Sequence, residues 1–259
     1  MRLRVLGSSG IYPTAENPAT GFLLDGAGAK IWLDAGNGTF AALQAAEEFT
    51  ALSAVVVSHA HADHCLDLFP LHYALLLHPD GPKRLPLYCP DETWKSLNRF
   101  LGPKAPDDFD RLDRTFDFHS TRDGQTVEIE GVRLTFTRTD HPAYTLAVRG
   151  ESDSGTFVYT ADTGPGIDLA PFVDGADFLL CEATYVKDNL GKPVHLSAEQ
   201  AGELARRAGV GELALTHLAP GLDPTRSRDE ARAAADGIAV SVARPGRVYQ
   251  IVRRGGDED

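Results

Sequence analysis

The feature that most constrains this chain is a cluster of imidazole and carboxylate side chains directly after a hydrophobic run. In the segment "AVVVSHAHADHCLDLF", from Ala54 to Phe69, valines lead straight into three histidines and an aspartate. Each such group that leaves water needs a partner, or it loses solvation worth roughly 1–3 kcal/mol. The residues are His59, His61, Asp63 and His64. Packing alone explains so dense a cluster poorly, so we expect it to bind something.

The spacing of the cluster allows it to serve two neighbouring metal ions. Val55 to Ser58 is predicted as a buried strand, and in an extended segment residues i and i+2, such as His59 and His61, face the same side. Asp63 and His64 fall at the start of the next helix and point to a second ion. Zinc takes four ligands in structural sites and three plus water in catalytic ones, so more ligands must come from later in the chain. The candidates, all at predicted strand ends, are His141, Asp162, His195 and His217.

Short β-type runs alternate with helical patterns along the whole chain. The predicted strands are "LRVLG", "GFLLD", "KIWLDAG", "AVVVSH", "LPLYC", "TVEIEG", "VRLTFTRTDH", "YTLAVRG", "GTFVYTADTG", "DFLLCEA", "ELALTHL" and "RVYQIVRR". The predicted helices are "GTFAALQAAEEF", "HCLDLFPLHYALLLH", "SAEQAGELARRAG" and "DPTRSRDEARAAAD", and Ser197 with Gln200 forms a capping-box pattern at the start of the third. Strands followed by helices in each half suit an α+β fold with αββα layering. The segment from Pro79 to Asp113 is predicted as a loop and helix insertion over the surface.

Composition predicts a globular protein, and the length allows one large domain or two small ones. The chain has 259 residues, 42% of them hydrophobic, which is enough for a full core. Because the periodic segments are evenly distributed, we expect a single domain over residues 1–254. The last five residues, "GGDED" at 255–259, are predicted to be a flexible acidic tail.

The charge and the hydropathy pattern exclude some classes of function. A net charge of −12 argues against a protein that coats nucleic acid, because lysine and arginine supply most non-specific phosphate binding. It still allows a small anionic ester, since bound metal brings local positive charge. No apolar run is long enough for a signal peptide or a membrane span, so we expect a soluble cytoplasmic protein without a membrane partner. Cys65, Cys89 and Cys181 are predicted to be buried reduced thiols, with a ligand role for Cys65 as the alternative.

Five motifs in this order resemble the metallo-β-lactamase superfamily, whose fold is an αββα sandwich with a two-metal site along one edge. They are "LDAGNGT" at Leu33 to Thr39, "SHAHADH", the isolated His141, "TADTG" and "LTHL". The resemblance implies one zinc ion on His59, His61 and His141. It implies a second on Asp63, His64 and His217. Asp162 bridges both ions in that pattern, and Asp34 supports the site through hydrogen bonds.

The residue types at two of these positions narrow the chemistry that the resemblance implies. Asp162 stands where β-lactamases of the family place a cysteine, which favours hydrolase branches with a carboxylate bridge. His61 stands where flavodiiron oxygen reductases have glutamate, which argues against a redox di-iron function. We therefore expect two zinc ions per chain, with manganese as the alternative.

The second half of the chain resembles the ribonuclease Z-like branch. The carrying motifs are "CEATY", Cys181 to Tyr185, and "HLSAEQAGELA" from His195. The resemblance implies that Glu182 orients His195 and that His195 serves as phosphate clamp or general acid. Asp63, as ligand and neighbour of the attacking water, is expected to take its proton.

The chain departs from the tRNA-processing enzymes of that branch. Their long tRNA-binding arm lies between the third motif and the bridging aspartate, whereas here His141 and Asp162 are only 21 positions apart. We therefore expect a dinuclear zinc phosphodiesterase that acts on a small phosphodiester or cyclic nucleotide rather than on nucleic acid. The alternatives are a carbonyl hydrolase (thioesterase, lactonase or β-lactamase-like), a tRNA 3′-processing nuclease and a non-catalytic metal-binding module. The apolar stretch Leu71 to Leu77 fits either the core or the interface of a homodimer.

Overall fold

Two mixed β-sheets of seven strands each form the centre of the fold. The structure, a computed structural model, describes residues 1–101, 111–189 and 193–255. The first six strands are β1 (Arg2–Gly7), β2 (Gly21–Gly26), β3 (Ala29–Leu33), β4 (Ala54–Val56), β5 (Leu85–Cys89) and β6 (Phe116–Ser120). The others are β7 (Thr126–Ile129), β8 (Val132–Arg138), β9 (Leu146–Ser152), β10 (Gly155–Tyr159), β11 (Phe178–Glu182), β12 (Glu212–Thr216), β13 (Ala239–Val242) and β14 (Val248–Gln250).

The two sheets have matching topologies. The first has the strand order β14-β1-β2-β3-β4-β5-β6, and the second has the order β13-β12-β11-β10-β9-β8-β7. In the first sheet the neighbouring strands from β3 through β6 run parallel, and in the second sheet those from β10 through β13 do. All other neighbouring strands pair antiparallel. Parallel strands that neighbour one another end at the same edge of a sheet, so residues that follow them are brought together.

Helices connect the strands and lie outside the sheets. They are α1 (Thr39–Ala46), α2 (Ala62–Cys65), α3 (Leu68–Leu76), α4 (Asp91–Phe100), α5 (Ala170–Val173), α6 (Ala198–Arg207) and α7 (Pro224–Ala234). Short 3-10 turns lie at Phe49–Ala51, Leu112–Arg114 and Lys187–Asn189. Ser197 caps α6 in the predicted capping box with Gln200, so that prediction is confirmed. Among the described residues, no helix combines the length and the apolar character needed to cross a bilayer.

Three apolar clusters separate the layers. The central one joins the inner faces of both sheets, with Phe22 and Ile31 from the first and Phe136 and Phe157 from the second. A second cluster packs α1, α3 and α4 against the outer face of the first sheet, and a third packs α5, α6 and α7 against the second. The αββα sandwich predicted from the sequence is therefore confirmed.

Details of the elements differ from the sequence-based predictions. The structure adds β6 and β13, and it divides the helix predicted from His64 to His78 into α2 and α3. The segment from Pro79 to Asp113 contains β5 and α4, and buried Leu97 packs α4 against the first sheet, so part of it belongs to the sandwich and is no surface insertion. Residues 102–110 of that segment lie outside the described residues. So does the predicted tail after Gly255.

Candidate metal centre

The predicted ligands follow strand ends at one edge of the sandwich. His59 and His61 lie in the loop after β4, and Asp63 and His64 lie in α2, which begins immediately afterwards. From the second sheet come residues that follow three strands: His141 after β8, Asp162 after β10 and His217 after β12. Both sheets therefore contribute side chains to the same place, although up to 158 positions of sequence separate the residues from His59 to His217.

The first group of side chains surrounds one oxygen of Asp162. Nε2 of His59 lies 3.6 Å and Nε2 of His141 lies 3.8 Å from Oδ2 of Asp162. Nδ1 of His61 lies 3.2 Å from Nε2 of His141. Ligand atoms of these four residues all lie within 4.8 Å of one another, a spacing that one metal ion can span.

The second group surrounds the other oxygen of the same carboxylate. Nε2 of His64 lies 3.2 Å and Nε2 of His217 lies 3.4 Å from Oδ1 of Asp162. Oδ2 of Asp63 lies 3.2 Å from Nε2 of His217. The two groups thus lie on either side of Asp162, each nearest a different oxygen, which is the arrangement that a bridging carboxylate needs.

The hydrogen bonds of His64 indicate that a cation belongs between these side chains. Nδ1 of His64 donates to Oδ2 of Asp34 at 2.8 Å, so a neutral ring has only a lone pair at Nε2 to face Asp162. Nε2 of His59, Nε2 of His64 and Oδ1 of Asp162 are all buried without a hydrogen-bond partner. Buried polar atoms are almost always paired. Unpaired acceptors that converge on one another fit divalent metal ions, and imidazole with carboxylate is a donor set that suits zinc.

The histidine pKa values shift in different directions in the two groups. Burial lowers the pKa of His59 well below its usual range, and burial also lowers the pKa of His61 and of His141. In the second group burial opposes protonation too, but the carboxylates of Asp162 and Asp34 hold the pKa of His64 well above its usual value. The histidines of the second group in turn favour the ionised form of Asp162.

The carboxylate of Asp162 and the ring of His217 show the same mutual effect. Burial works to raise the pKa of Asp162, but His217 and His64 hold it well below its usual range. Burial works to lower the pKa of His217, yet Asp162 and Asp63 raise it. The second group therefore favours positive charge in its centre, from protons or from a metal ion that displaces them.

His195 lies beside the two groups and is held by Glu182. Its Nδ1 donates to Oε1 of Glu182 at 2.8 Å and lies 4.0 Å from Oδ2 of Asp162. The ring is 9% exposed and lies 5.2 Å from the ring of His141 and 5.3 Å from that of His217, measured between centroids. By distance His195 also fits a ligand set with Asp162 and His217. Its fixed Nδ1 leaves Nε2 as the atom available for chemistry.

Strained backbone is concentrated around the centre. Asp34, Ala161 and His217 have φ values of 56°, 50° and 57°, in the left-handed region that non-glycine residues rarely adopt. Ile11 has a φ of 68°. Its main-chain N–H donates to the Asp63 carboxylate. Such strain costs on the order of 1–3 kcal/mol per residue and persists where surrounding structure enforces it, often at functional sites.

A glycine allows the "LDAG" loop to contact the histidine motif. A Cβ atom on Gly36 would lie 2.0 Å from the carbonyl oxygen of Asp63, so no other residue fits there without movement. The main-chain N–H of Ala35 donates to the carbonyl of His64 at 2.7 Å. This close approach brings the carboxylate of Asp34 to Nδ1 of His64.

Sequence reasoning assigned no role to several side chains that hold the ligands. Ser58 and Thr184 contact His59 and His217 through their hydroxyls, and the Tyr159 hydroxyl donates to Asp34 at 2.7 Å. Ser58 and Thr184 were visible in "SHAHADH" and "CEATY", but hydroxyl residues are too common to be selected from sequence alone. Tyr159 reads in the sequence as an ordinary core aromatic at the end of β10.

The remaining histidines and the cysteines lie apart from the metal groups. His72 is buried with Nδ1 2.7 Å from the Thr115 hydroxyl, and the exposed ring of His119 stacks on Tyr88. All three cysteines are buried and free, as predicted. Burial raises the pKa of the Cys65 thiol to about 12, and Cys65 belongs to none of the candidate metal groups found among the described residues.

Comparison with known proteins identifies the family. A family model described as the beta-lactamase superfamily domain matches residues 29–218. The chain is 34% identical over 241 residues to the protein Rv1339 of Mycobacterium tuberculosis, which covers 92% of this chain and 88% of that protein. It is 30% identical over 258 residues to the probable metallo-hydrolase YhfI of Bacillus subtilis, covering 96% of this chain and 100% of the relative. The crystal structure of YhfI matches with a TM-score of 0.86 and 28% identity over 96% of this chain and 98% of the other.

The chain is also similar to a ribonuclease of the same fold family. Ribonuclease Z of Archaeoglobus fulgidus is 24% identical over 272 residues, covering 84% of this chain and 87% of the enzyme. Between His141 and Asp162 the structure has only the hairpin of β9 and β10, whose turn lies at Asp153 and Ser154, and so no arm is inserted there. This chain therefore belongs to the beta-lactamase superfamily.

Proposed function

We propose that this protein is a dinuclear metal-dependent phosphodiesterase that acts on a small phosphodiester or cyclic nucleotide. The observation that carries the proposal is the buried Asp162 carboxylate, whose two oxygens each face a separate ligand group, with the Glu182-held ring of His195 beside it. Zinc is the expected metal, with manganese as the alternative.

The ligands fall into two sets around a shared bridge. One ion would be held by His59, His61 and His141 and the other by Asp63, His64 and His217, with Asp162 between the two sets. When bound, such a pair of ions supplies a nucleophilic water near neutral pH and neutralises charge on the phosphoryl oxygens. Asp63 lies at the rim of the site, 8% exposed, where it can accept the proton of the attacking water.

His195 is proposed to protonate the leaving oxygen. Glu182 accepts from Nδ1 of His195, so this bond fixes the ring and leaves Nε2 without a role in it. An alkoxide leaving group needs a proton donor that works near neutral pH, and histidine supplies one. The same ring can hold a phosphoryl oxygen in the ground state.

Two considerations favour a phosphodiester over a carbonyl substrate. A relative carries the name ribonuclease Z, and ribonucleases act on phosphodiester bonds. The Glu182 and His195 pair adds a proton donor beyond the metal ligands, which a poor alkoxide leaving group requires. A small substrate is favoured because the β9–β10 hairpin replaces the arm and because the net charge of −12 repels a long polyanion.

The decisive experiment is a substrate panel on zinc- and manganese-loaded protein. We expect turnover of bis(p-nitrophenyl) phosphate and of cyclic nucleotides, abolished by chelator and restored by metal. Thioesters, lactones, β-lactams and pre-tRNA serve as competing substrates. Hydrolysis of a thioester or lactone, with both phosphodiesters left intact, would show the proposed reaction to be wrong in favour of carbonyl hydrolysis.

Metal counting tests the alternative of a non-catalytic module. Structural zinc sites are closed and usually hold one ion. Binding of about two ions per chain supports a catalytic centre, whereas one inert ion in a protein without turnover contradicts it. The homodimer stays a prediction, which sedimentation measurements on the same metal-loaded sample can test.

A further inference from the structure

Two buried carboxylates, one from each sheet, organise the histidines of this centre in the same way. Asp34 follows β3 in the first sheet, and Glu182 ends β11 in the second. Asp34 is 1% exposed and Glu182 is fully buried. Each receives a histidine Nδ1 directly at 2.8 Å, from His64 and from His195 respectively.

Each carboxylate also holds one hydroxyl, and each hydroxyl contacts a second histidine. Ser58 donates to Oδ2 of Asp34 at 2.9 Å, and its oxygen lies 3.0 Å from Nδ1 of His59. On the other side, Thr184 donates to Oε2 of Glu182 at 2.8 Å, and its oxygen lies 2.8 Å from Nδ1 of His217. Both hydroxyls are buried, so water does not compete for these bonds.

The donor and acceptor inventory fixes the direction of each chain of bonds. An ionised carboxylate only accepts, and a hydroxyl has one proton to donate. Asp34 accepts four hydrogen bonds and Glu182 accepts four, all from N–H or O–H donors. Each hydroxyl therefore donates its single proton to the carboxylate, and its oxygen must accept from the imidazole.

It follows that His59 and His217 carry their proton on Nδ1. When these rings carry no second proton, their Nε2 atoms present lone pairs toward the two ligand groups. Nε2 of His59 is a buried atom without a hydrogen-bond partner, as expected for a metal-ligand atom.

We propose that Thr184 and Ser58 are positioning residues whose hydroxyls link Glu182 to His217 and Asp34 to His59. Through these hydroxyls each carboxylate fixes two histidines, one directly and one at a distance. Glu182 thereby serves both His195 and a histidine of the second ligand group. Partners behind a metal ligand fix its tautomer and raise its basicity, and their loss typically costs about 10- to 100-fold in metal affinity.

The inference rests on the proposed two-metal site, and Thr184 gives the sharper test because it has two well-matched variants. Thr184→Val keeps the shape and removes the hydroxyl, whereas Thr184→Ser keeps the hydroxyl and removes the methyl group. Zinc affinities are measured in the full chain by competition with a chromophoric chelator. We expect Thr184→Val to weaken one of two bound ions by about 10- to 100-fold, and Thr184→Ser to retain the affinity of the parent protein.

A spectroscopic measurement separates this role from simple packing. In the zinc-loaded parent protein the Nδ1 proton of His217 is held by the hydroxyl, so its resonance should exchange slowly with solvent. The resonance should persist in Thr184→Ser and should exchange much faster in Thr184→Val. Ser58→Ala should weaken the other ion instead, and the double variant should weaken both.

The outcomes distinguish this inference from the proposed function. Two tightly bound ions with unchanged affinity in Thr184→Val would contradict the hydroxyl link and leave the phosphodiesterase proposal standing. Equal loss in the valine and serine variants would assign the effect to the methyl group and contradict the link as well. A parent protein that binds no zinc would overturn both proposals.

Discussion

The main-chain N–H of Ile11 donates to Oδ2 of Asp63 at 2.8 Å although Ile11 holds a left-handed φ of 68°. A β-branched residue in this region is an outlier. The loop is fixed on both sides, since Gly10 donates to the carbonyl of Leu218 and the Ser9 hydroxyl donates to that of Tyr12. The strain therefore accompanies a contact to a proposed ligand.

The first prediction concerns this strained residue. Ile11 is 53% exposed, so removing its side chain loses little burial. Ile11→Gly should raise the free energy of unfolding by about 1 kcal/mol, because glycine adopts positive φ without the penalty of about 1–2 kcal/mol that other residues meet. Denaturant unfolding of the metal-loaded protein measures the change. Ile11→Ala is the control, because it keeps the penalty; an equal gain in both variants would show that the backbone is not the source.

The second prediction concerns His195. His195→Ala should lower kcat on an activated phosphodiester by about 10²- to 10⁴-fold, the usual contribution of a general acid, while about two metal ions stay bound. Turnover and metal content are measured on the same preparation. His119→Ala, which removes an exposed histidine stacked on Tyr88, is the matched control and should leave both unchanged. Loss of an ion in His195→Ala would instead identify the ring as a ligand.

The third prediction concerns the stability that Asp34 provides. Its carboxylate accepts from the Ser58 main chain and hydroxyl, from His64 and from the Tyr159 hydroxyl. Asp34→Ala leaves these buried donors without a partner and should lower the free energy of unfolding by about 3–5 kcal/mol. Asp34→Asn retains an acceptor oxygen and tolerates positive φ, so it should cost clearly less. Chemical denaturation measures both, and equal losses would contradict the role of the hydrogen bonds.

The fourth prediction concerns pH and metal removal. In metal-free protein the raised pKa values of His64 and His217 contribute stability that is complete below about pH 6.5, the ordinary pKa of histidine, and is lost as pH rises through the folded values. Three other histidines have lowered pKa values, and they reduce stability as pH falls below about 6.5. These are His59, His61 and His141.

Metal-free protein should therefore be most stable near pH 6.5. Metal ions replace the protons on the second group, so the loaded protein should not lose stability above that pH in the same way. The drop in Tm caused by chelator should widen between about pH 6.5 and pH 9. Thermal unfolding with and without chelator measures it, and a drop that is constant over this interval would contradict the assignment.

The fifth prediction concerns the thiols. Cys65, Cys89 and Cys181 are buried, and burial raises the pKa of each thiol. Because the thiolate is the reactive form, none should react with a thiol reagent in the folded protein over minutes, and all three should react after unfolding. Colorimetric thiol counting with and without denaturant measures this. Rapid labelling of one thiol in the folded, chelator-treated protein would point to local opening.

Most of the architecture could be predicted from the sequence because buried strands carry strong apolar signals. The two strands that sequence reasoning missed, β6 and β13, are both terminal strands of their sheets. An edge strand has only one neighbour and tolerates polar residues, so "FDFHS" and "AVSV" give weak signals. Short length adds to the difficulty for β13.

The helix after the histidine motif shows a different limit of sequence reasoning. The sequence predicts one helix from His64 to His78, but the structure interrupts it at Leu66 and Asp67, where the Asp67 carboxylate accepts the main-chain N–H of Phe40 at 2.7 Å. That contact joins residues 27 positions apart, and no local pattern announces it.

The ligand types could be read from sequence because each lies in a short motif at a strand end. Their partition about Asp162 was implied only by the family resemblance, because no local pattern shows how the two sheets pack. The roles of Ser58 and Thr184 were equally hidden, because a hydroxyl shows its function only through the direction of its hydrogen bonds.

The contribution of both sheets to one centre has a mechanical consequence. The first sheet supplies the "SHAHADH" loop and the second supplies His141, Asp162 and His217, so metal ions bound there would link the two sheets. Tyr159 on β10 already ties to Asp34 across the two sheets. A shift of one sheet relative to the other would stretch the coordination bonds. Metal affinity would therefore depend on how the two sheets pack. A substitution deep between the sheets, for example at Phe157, should therefore weaken metal binding.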